Sequence, residues 1–567
     1  MECNKTIIHP VFEESQLLMS ENRNYNSPLL LTKLLSQTIY RNSPSQVVFG
    51  KNRETWKELN ERAMRLAEGL KNSGVRKGAK VAVVDFDTHN YMEAYYAVPA
   101  IQSVLHTVNI RLPPEQIAYT MIHAEDEAVI VRDEFVPLLS KLLPQIKNLK
   151  TIVITSESGS MPAGAPSGSL FYDDLLSSSS GKFEPGDFDE NTVATLFYTS
   201  GTTGFPKGVW FTHRQLVLHT LSNALALSSS QSPVRLEARD VVLPLVPMFH
   251  VHGWGFPFIS GQLGQPYILV GKYDPGRILE LITKERVTWS HMVPTILNMI
   301  LHHPAVDSHR DALSRWKVVI GGSALPSELA RKANSFGIKI MSGYGLSETA
   351  PILTLGVPGE LEYDLPPEEM LQKSLLKTGL PVPLVDLRVV DSSMNDVPRD
   401  GKTIGEIVVR SPWTTKEYYK DPSMTEELWI GGWLHTKDLA TIDEVGHVKI
   451  ADRTKDAVKS GGEWISTIDL EDILMHHPSV LEAAVIGTPD ENWGERPVAI
   501  VSLKSGSKAD EAALKNHFAE YVDSGHIAKF WVPDRYYIIE EPLPKTSTGK
   551  IDKKPLRGKY ASGEVKN

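Results

Sequence analysis

Short β-branched runs alternate with amphipathic stretches early in this 567-residue chain, and that rhythm constrains the fold more than any other feature. Lys80 to Val84 is followed by Tyr91 to Ile101, and Ala128 to Val131 by Phe135 to Leu143, before Thr151 to Thr155. Strands alternating with helices at this spacing point to α/β architecture with mostly parallel sheets. Two Ser/Gly/Pro-rich stretches, Ser156 to Ser169 and Ser177 to Gly181, interrupt the rhythm and read as exposed loops. After Gly405 the pattern turns to shorter strands, Glu406 to Arg410 and His447 to Ala451, followed by the polar run Asp452-Arg453-Thr454-Lys455-Asp456. Beyond it, the amphipathic Ile468 to His476 and the apolar Ala483 to Ile486 mark a compact second unit. The expected division is a large N-terminal domain, 1–454, of packed mostly parallel sheets with a β-rich subdomain, and a small α+β C-terminal domain, 455–567.

Composition excludes several classes. With 41% hydrophobic and 23% charged residues the chain can bury a substantial core, which rules out disorder and collagen-like structure. Its 59 Lys+Arg against 69 Asp+Glu give a net charge of -10, the wrong sign for a surface that holds nucleic acid. The single cysteine, Cys3, cannot form an intramolecular disulfide or a cysteine-based zinc site. The first residues have scattered charges and no apolar core, no run of about 18 apolar residues occurs, and the C-terminus is no Ser-Lys-Leu address. The expectation is a cytoplasmic protein with no transmembrane segment and no nucleic acid partner.

The strongest local signal is Tyr198-Thr199-Ser200-Gly201-Thr202-Thr203-Gly204-Phe205-Pro206-Lys207-Gly208, after the strand-like Val193 to Phe197. Glycines let backbone N–H groups approach phosphate oxygens, hydroxyls add donors, and the lysine adds a point charge, so the string suits an anion cradle. It is not a Walker loop, because Pro206 and Gly208 stand where that motif needs a glycine and a hydroxyl. A plain Gly/Thr surface loop is the alternative reading.

This string resembles the signature of the adenylate-forming enzymes, which include acyl-CoA synthetases, peptide-synthetase adenylation domains and luciferases. The resemblance recurs in order at Gly321-Gly322-Ser323, Gly343-Tyr344-Gly345-Leu346-Ser347-Glu348-Thr349, Thr436-Lys437-Asp438, Asp452 to Asp456 and Pro544-Lys545-Thr546-Ser547-Thr548-Gly549-Lys550. It implies a two-step reaction: a carboxylate attacks the α-phosphate of ATP and releases pyrophosphate, and a thiol then attacks the acyl-adenylate. Such a site must bring two anions together and neutralise the charge on the transferring group.

By the same resemblance, Glu348 is the Mg²⁺ carboxylate with the Thr199 hydroxyl on the same ion, a hard-oxygen set suited to that metal. Ser200, Gly201, Thr202, Thr203, Gly204 and Lys207 cradle the phosphates. Tyr344 stacks on adenine beside Gly322, Ser323, Ser342, Gly343 and Gly345, and Ser347 lies near the phosphate. Asp438 accepts the ribose hydroxyls, with Arg453 as a second ribose contact. Lys437 departs from the glycine usual before that aspartate, and either crowds the ribose or points outward. Lys550 matches the lysine brought to the α-phosphate in the first step, and Lys455 lies at the hinge of a mobile C-terminal domain. In Lys459-Ser460-Gly461-Gly462-Glu463-Trp464, a match to the fatty-acyl branch, Lys459 and Trp464 hold nucleotide and the glycines admit the pantetheine arm of CoA.

The segment Pro247-Met248-Phe249-His250-Val251-His252-Gly253-Trp254-Gly255-Phe256 is aromatic and nearly uncharged, as an apolar pocket wall or plain core would be. Paired histidines with no acidic or cysteine neighbour do not make a metal site. The segment resembles medium- and long-chain fatty-acyl-CoA synthetases, in which His250 lines the acyl/CoA junction and Trp254 gates the alkyl tunnel, with Gly322 at the substrate. The resemblance implies an AMP-forming acid-thiol ligase that uses ATP, Mg²⁺ and CoA on a medium-chain or longer fatty acid, and leaves a homodimer open. An aryl acid, a carrier protein as acceptor, or a non-catalytic nucleotide-binding scaffold are the alternatives carried forward; intact Glu348, Asp438 and Lys550 speak against the scaffold.

Overall fold

The computed structural model describes residues 27–199, 205–461, 463–545 and 551–560. The expected α/β rhythm is present: Lys80–Val84, Asp126–Arg132 and Thr151–Thr155 are strands, and His89–Ala100 and Val136–Leu142 are helices between them. These strands pair in parallel within a seven-stranded sheet, in the spatial order Leu170–Phe171, Thr151–Thr155, Asp126–Arg132, Lys80–Val84, Val104–Thr107, Val193–Thr199, Lys207–Thr212. Only the last pair is antiparallel, because a hairpin joins it.

A nine-stranded sheet faces the first. Its parallel centre runs through Lys339–Gly345, Lys317–Ile320, Trp289–Met292 and Val242–Leu245, and antiparallel strands close both edges. One continuous core joins the two sheets through the helices Trp56–Asn72, His89–Ala100 and His213–Ser229. Two of these helices begin at capping boxes, Thr55 with Glu58 and Thr212 with Gln215, in which side chain and backbone satisfy each other's free groups. Separate apolar layers cover the outer faces of both sheets, as parallel sheets require.

The third sheet is antiparallel and built on Gly405–Arg410, Trp433–Ile442 and Val448–Arg453. Strands from Val458–Ser460 onward form a fourth, with Val480–Asp490, Gly494–Leu503 and Arg535–Ile539, covered on its two faces by separate apolar clusters. Among the described residues no helix is long and apolar enough to cross a membrane.

Candidate active site

Thr199 and Lys207 face each other in the last register pair of the hairpin that carries the phosphate-type loop. Ser200, Gly201, Thr202, Thr203 and Gly204 lie outside the described residues, as do Gly462 and Lys550. The Lys207 ammonium stands 5.0 Å over the ring of Tyr418, a cation–π contact. The Tyr418 hydroxyl donates to Glu348 Oε1 at 2.6 Å. Glu348 sits in the short helical turn Ser347–Thr349, and its carbonyl accepts from the Thr415 N–H at 2.7 Å. Tyr418 is the participant that sequence reasoning missed; its only signal was an aromatic pair, Tyr418-Tyr419, after the third sheet's first strands.

Asp438 and Arg453 are cross-strand partners on Trp433–Ile442 and Val448–Arg453. Their side chains pair at 3.0 Å, Arg453 Nε to Asp438 Oδ1, and the Tyr344 hydroxyl donates to Asp438 Oδ2 at 2.8 Å. A carboxylate has about four lone-pair positions, so two remain for a diol. Asp438, and after it Tyr344 and Glu348, hold the Arg453 guanidinium more firmly protonated than usual, which ties this cluster to Glu348 electrostatically. Burial and then the Asp438 charge push the Tyr344 phenol up, so it stays a donor.

Gly345 is required by close packing: a Cβ there would lie 1.7 Å from the Pro351 carbonyl oxygen. Ser342 Oγ donates to the Leu376 carbonyl at 3.3 Å, and Gly343 pairs with Leu355 on the neighbouring strand. Gly322 and Ser323 are exposed at the end of Lys317–Ile320. Lys437 has φ +59°, its N–H donates to Glu406 Oε1 at 2.9 Å, and its ammonium pairs with Glu427 at 2.9 Å. The left-handed backbone explains the family's glycine at this position, and the side chain points outward.

The Pro247 to Gly255 wall adopts a conformation that local preference opposes. Val251, His252, Gly253, Trp254 and Gly255 all have positive φ, between 40° and 81°. L-residues avoid this region, so the turn needs tertiary support. Thr195 Oγ1 and His252 Nε2 lie 2.8 Å apart, His291 Nε2 donates to the Gly253 carbonyl at 3.0 Å, and Asp87 Oδ1 accepts from the Met248 N–H at 2.8 Å. Burial pushes His252 and His291 down to about 3, so both are neutral; His252 is a structural bond rather than a ligand. The turn lays Trp254 against the end of Lys317–Ile320: a Cβ on Gly321 would meet Trp254 Cη2 at 2.9 Å, and one on Gly322 would meet Cζ2 at 3.7 Å. His250 begins the turn, half-buried, with its N–H on the Pro247 carbonyl.

Past Arg453, Lys455 lies exposed at the surface, its ammonium held below its usual range first by partial desolvation. Lys459 and Trp464 pair in the hairpin of Val458–Ser460 with Glu463–Ile465, the ammonium 5.2 Å from the ring, and Trp464 packs against Leu439 and Ala451. The structure therefore brings together Tyr344, Asp438 and Arg453, then Lys207 and Glu348 on either side of Tyr418 with Thr199 opposite Lys207 in register, then Trp254 with Gly322. It places no direct bond between Ser323, Ser347 or Lys455 and these groups. Among the described residues, the one His/Glu grouping with metal-ligand spacing is Glu54, His89 and Glu93, and Arg62 already bridges its two carboxylates at 3.3 and 2.8 Å.

The profile of the AMP-binding enzyme family matches residues 37–419, and that of the AMP-binding enzyme C-terminal domain matches 469–550. The chain is 40% identical over 512 residues to a long-chain-fatty-acid–CoA ligase of Thermus thermophilus, covering 90% of both chains. It is 37% identical to a medium-chain-fatty-acid–CoA ligase of Ectopseudomonas oleovorans, covering 90% of this chain and 91% of that one. The fold superposes on an anthranilate CoA ligase solved with anthranoyl-AMP, with a TM-score of 0.82 and 24% identity over 96% of this chain and 99% of that chain.

Proposed function

Because the chain belongs to the family of AMP-binding enzymes, we propose that it is an ATP-dependent, AMP-forming acyl-CoA ligase for a medium-chain or longer fatty acid. The observation that carries this reading is the apolar Trp254 turn packed on Gly321 and Gly322, on the sheet that also presents Tyr344 toward Asp438. An acyl chain and a nucleotide are then accommodated by neighbouring strands.

In the first half-reaction an acid oxygen forms a bond to the α-phosphorus of ATP and the bond to the β-phosphate oxygen breaks, releasing pyrophosphate. In the second, the CoA sulfur bonds to the acyl carbon and AMP leaves. No protein nucleophile is required, since the acid is already ionised at neutral pH. Asp438 orients the ribose through its two free lone pairs, braced by Arg453 and Tyr344. Tyr344, flanked by Ser342, Gly343 and Gly345, offers a face for adenine beside Gly322 and Ser323, and Ser347 lies one residue from Glu348. Lys207 and the loop Ser200 to Gly204 meet the phosphates, and Lys550 brings a charge to the α-phosphate and acid.

Glu348 and the Thr199 hydroxyl form a hard-oxygen donor set that fits Mg²⁺. Tyr418 bonds Glu348 Oε1, and among the described residues no other side-chain bond reaches this carboxylate, which would hold the metal together with Thr199. When bound, the ion neutralises charge on the phosphates. His250 stands at the junction of acyl chain and thiol, Trp254 gates the alkyl tunnel, and Lys455 is the hinge of a division at 454/455 after which Lys459 and Trp464 approach the nucleotide.

The test is product formation with ATP, Mg²⁺ and CoA across acids from acetate to palmitate plus benzoate, with AMP and thioester detected by mass spectrometry. Thioester with equimolar AMP and an optimum at medium or longer chain length is expected. ADP in place of AMP sinks the mechanism, and an optimum on benzoate sinks the alkyl assignment.

A further inference from the structure

The helix Thr467–His476 follows the linker at Lys455, yet it is anchored on elements that precede that linker. Its first turn is held to the third sheet: Ser466 Oγ donates to the Ala451 carbonyl at 2.6 Å, the Thr467 N–H donates to Asp452 Oδ2 at 2.8 Å, and Lys449 pairs with Asp469 at 3.0 Å. Its last turn reaches the helix Ser327–Ser335 of the nine-stranded layer. There Asp472 accepts from the Ser327 N–H at 3.1 Å and from the Ser327 hydroxyl at 3.0 Å, and His476 Nε2 lies 2.7 Å from the same hydroxyl. One hydroxyl carries one hydrogen, so Ser327 donates to the carboxylate and accepts from the His476 Nε2–H.

This contact replaces something the helix lacks. Ser327–Ser335 starts after Pro326, whose side chain offers no cap, so its first N–H groups need an acceptor from elsewhere. Asp472 supplies it from the far side of the linker. A cap is short-ranged and directional, so a rotation of the C-terminal unit breaks all three bonds at once. In the same pose the hairpin of Lys459 and Trp464 is turned toward the strand bearing Asp438, with Trp464 on Leu439. That hairpin contains Gly461, one of the glycines that the family resemblance assigns to the CoA arm.

We propose that Ser327, Asp472 and His476 form a clasp that holds the C-terminal unit in the thiol-transfer pose, and so act as positioning residues for the second half-reaction. This rests on the two-step reading above. The clasp stabilises one pose against the other, so its loss shifts the ratio of the half-reactions rather than lowering both.

The experiment compares the parent with Ser327→Ala, Asp472→Ala and Ser327→Thr in three measurements. These are octanoate-dependent ATP–pyrophosphate exchange, thioester formation from supplied octanoyl-adenylate and CoA, and the rate of tryptic cleavage at Lys455 in the unliganded full chain. Loss of a helix cap corresponds to about a fivefold change in a two-pose equilibrium. Both alanine variants are expected to slow thioester formation by about that factor, to leave exchange equal or faster, and to be cut faster at Lys455. Ser327→Thr keeps the hydroxyl and restores the parent's ratio. Equal losses in both half-reactions, or cleavage of Asp472→Ala no faster than the parent, overturn the clasp. A parent that exchanges no pyrophosphate with any acid sinks the ligase reading instead, and the cleavage rates still decide whether the clasp exists.

Discussion

The Tyr418 hydroxyl donates a 2.6 Å hydrogen bond to Glu348 Oε1 across 70 residues of sequence, while Lys207 sits over the same phenol ring. One tyrosine thus contacts both the proposed metal carboxylate and the lysine proposed to meet the phosphates. Partners of this kind, removed, typically cost about 10-fold or more in metal affinity or activity. Tyr418→Phe is expected to raise the Mg²⁺ concentration for half-maximal turnover by about tenfold while KM for the acid stays put. Titration of activity with Mg²⁺ at saturating ATP checks this, and an unmoved curve rules Tyr418 out of the site.

Lys550→Ala is expected to lower adenylate formation by about 10²–10³-fold, the usual loss for one preorganised charge on a transition state. Thioester formation from supplied acyl-adenylate should be spared. Single-turnover measurement of each half-reaction decides, and equal loss in both contradicts the role given to Lys550.

Lys437→Gly tests why the family favours glycine before Asp438. A side chain at φ +59° is strained by about 1 kcal/mol, which glycine relieves at some cost in chain entropy. The Lys437–Glu427 pair that would be lost is exposed on both sides and contributes little. The variant is expected to melt at the same or a slightly higher temperature with KM for ATP unchanged. A rise in KM would show that Lys437 takes part in binding after all.

His252 is buried at 0% exposure and held down to about 3, against an ordinary value of 6.5. Its folded form stays neutral while the unfolded chain takes up a proton below pH 6.5, so its contribution is intact above that pH and is lost as pH falls toward 3. The buried carboxyls of Asp85 and Glu93, pushed up to about 7 by burial, act in the opposite sense, so the whole profile is a poor readout. The difference between the parent and His252→Asn is the clean one. It should move in favour of the variant by about 1.4 kcal/mol per pH unit below 6.5, in denaturant melts from pH 7.5 to 5. A difference independent of pH would mean that His252 takes up its proton as readily in the fold as in the unfolded chain.

Trp254→Ala removes the ring that lies against Gly321 and Gly322. The acyl optimum should move to longer chains, with each extra buried methylene worth roughly 0.8 kcal/mol, about fourfold in kcat/KM. Rates across C6 to C16 acids give the answer, and an unchanged optimum removes Trp254 from the tunnel.

Much of this molecule was legible along the chain because the relevant physics is local. Strands such as Lys80–Val84 and Thr151–Thr155, and the helix Thr467–His476, follow from side-chain periodicity over a few residues. The strings proposed to hold nucleotide were recognisable by resemblance, and the glycine at Gly345 answers to close packing on the Pro351 carbonyl. The pairing of Asp438 with Arg453 was not, because it depends on the register of two strands rather than on either string.

The Trp254 turn marks the limit most sharply. Within five successive positive φ values, those of Val251, His252 and Trp254 run against the local preference of their residues. Thr195, His291 and Asp87, distant in sequence, impose the turn by bonding its side chains and backbone. Amino-acid order alone determined the α/β framework, the nucleotide strings and the apolar character of the acyl wall. Only the tertiary structure decided the shape of that wall, the Tyr418–Glu348 bond and the outward course of Lys437, because strained backbone and long-range bonds are stable only where a packed fold holds their partners in place.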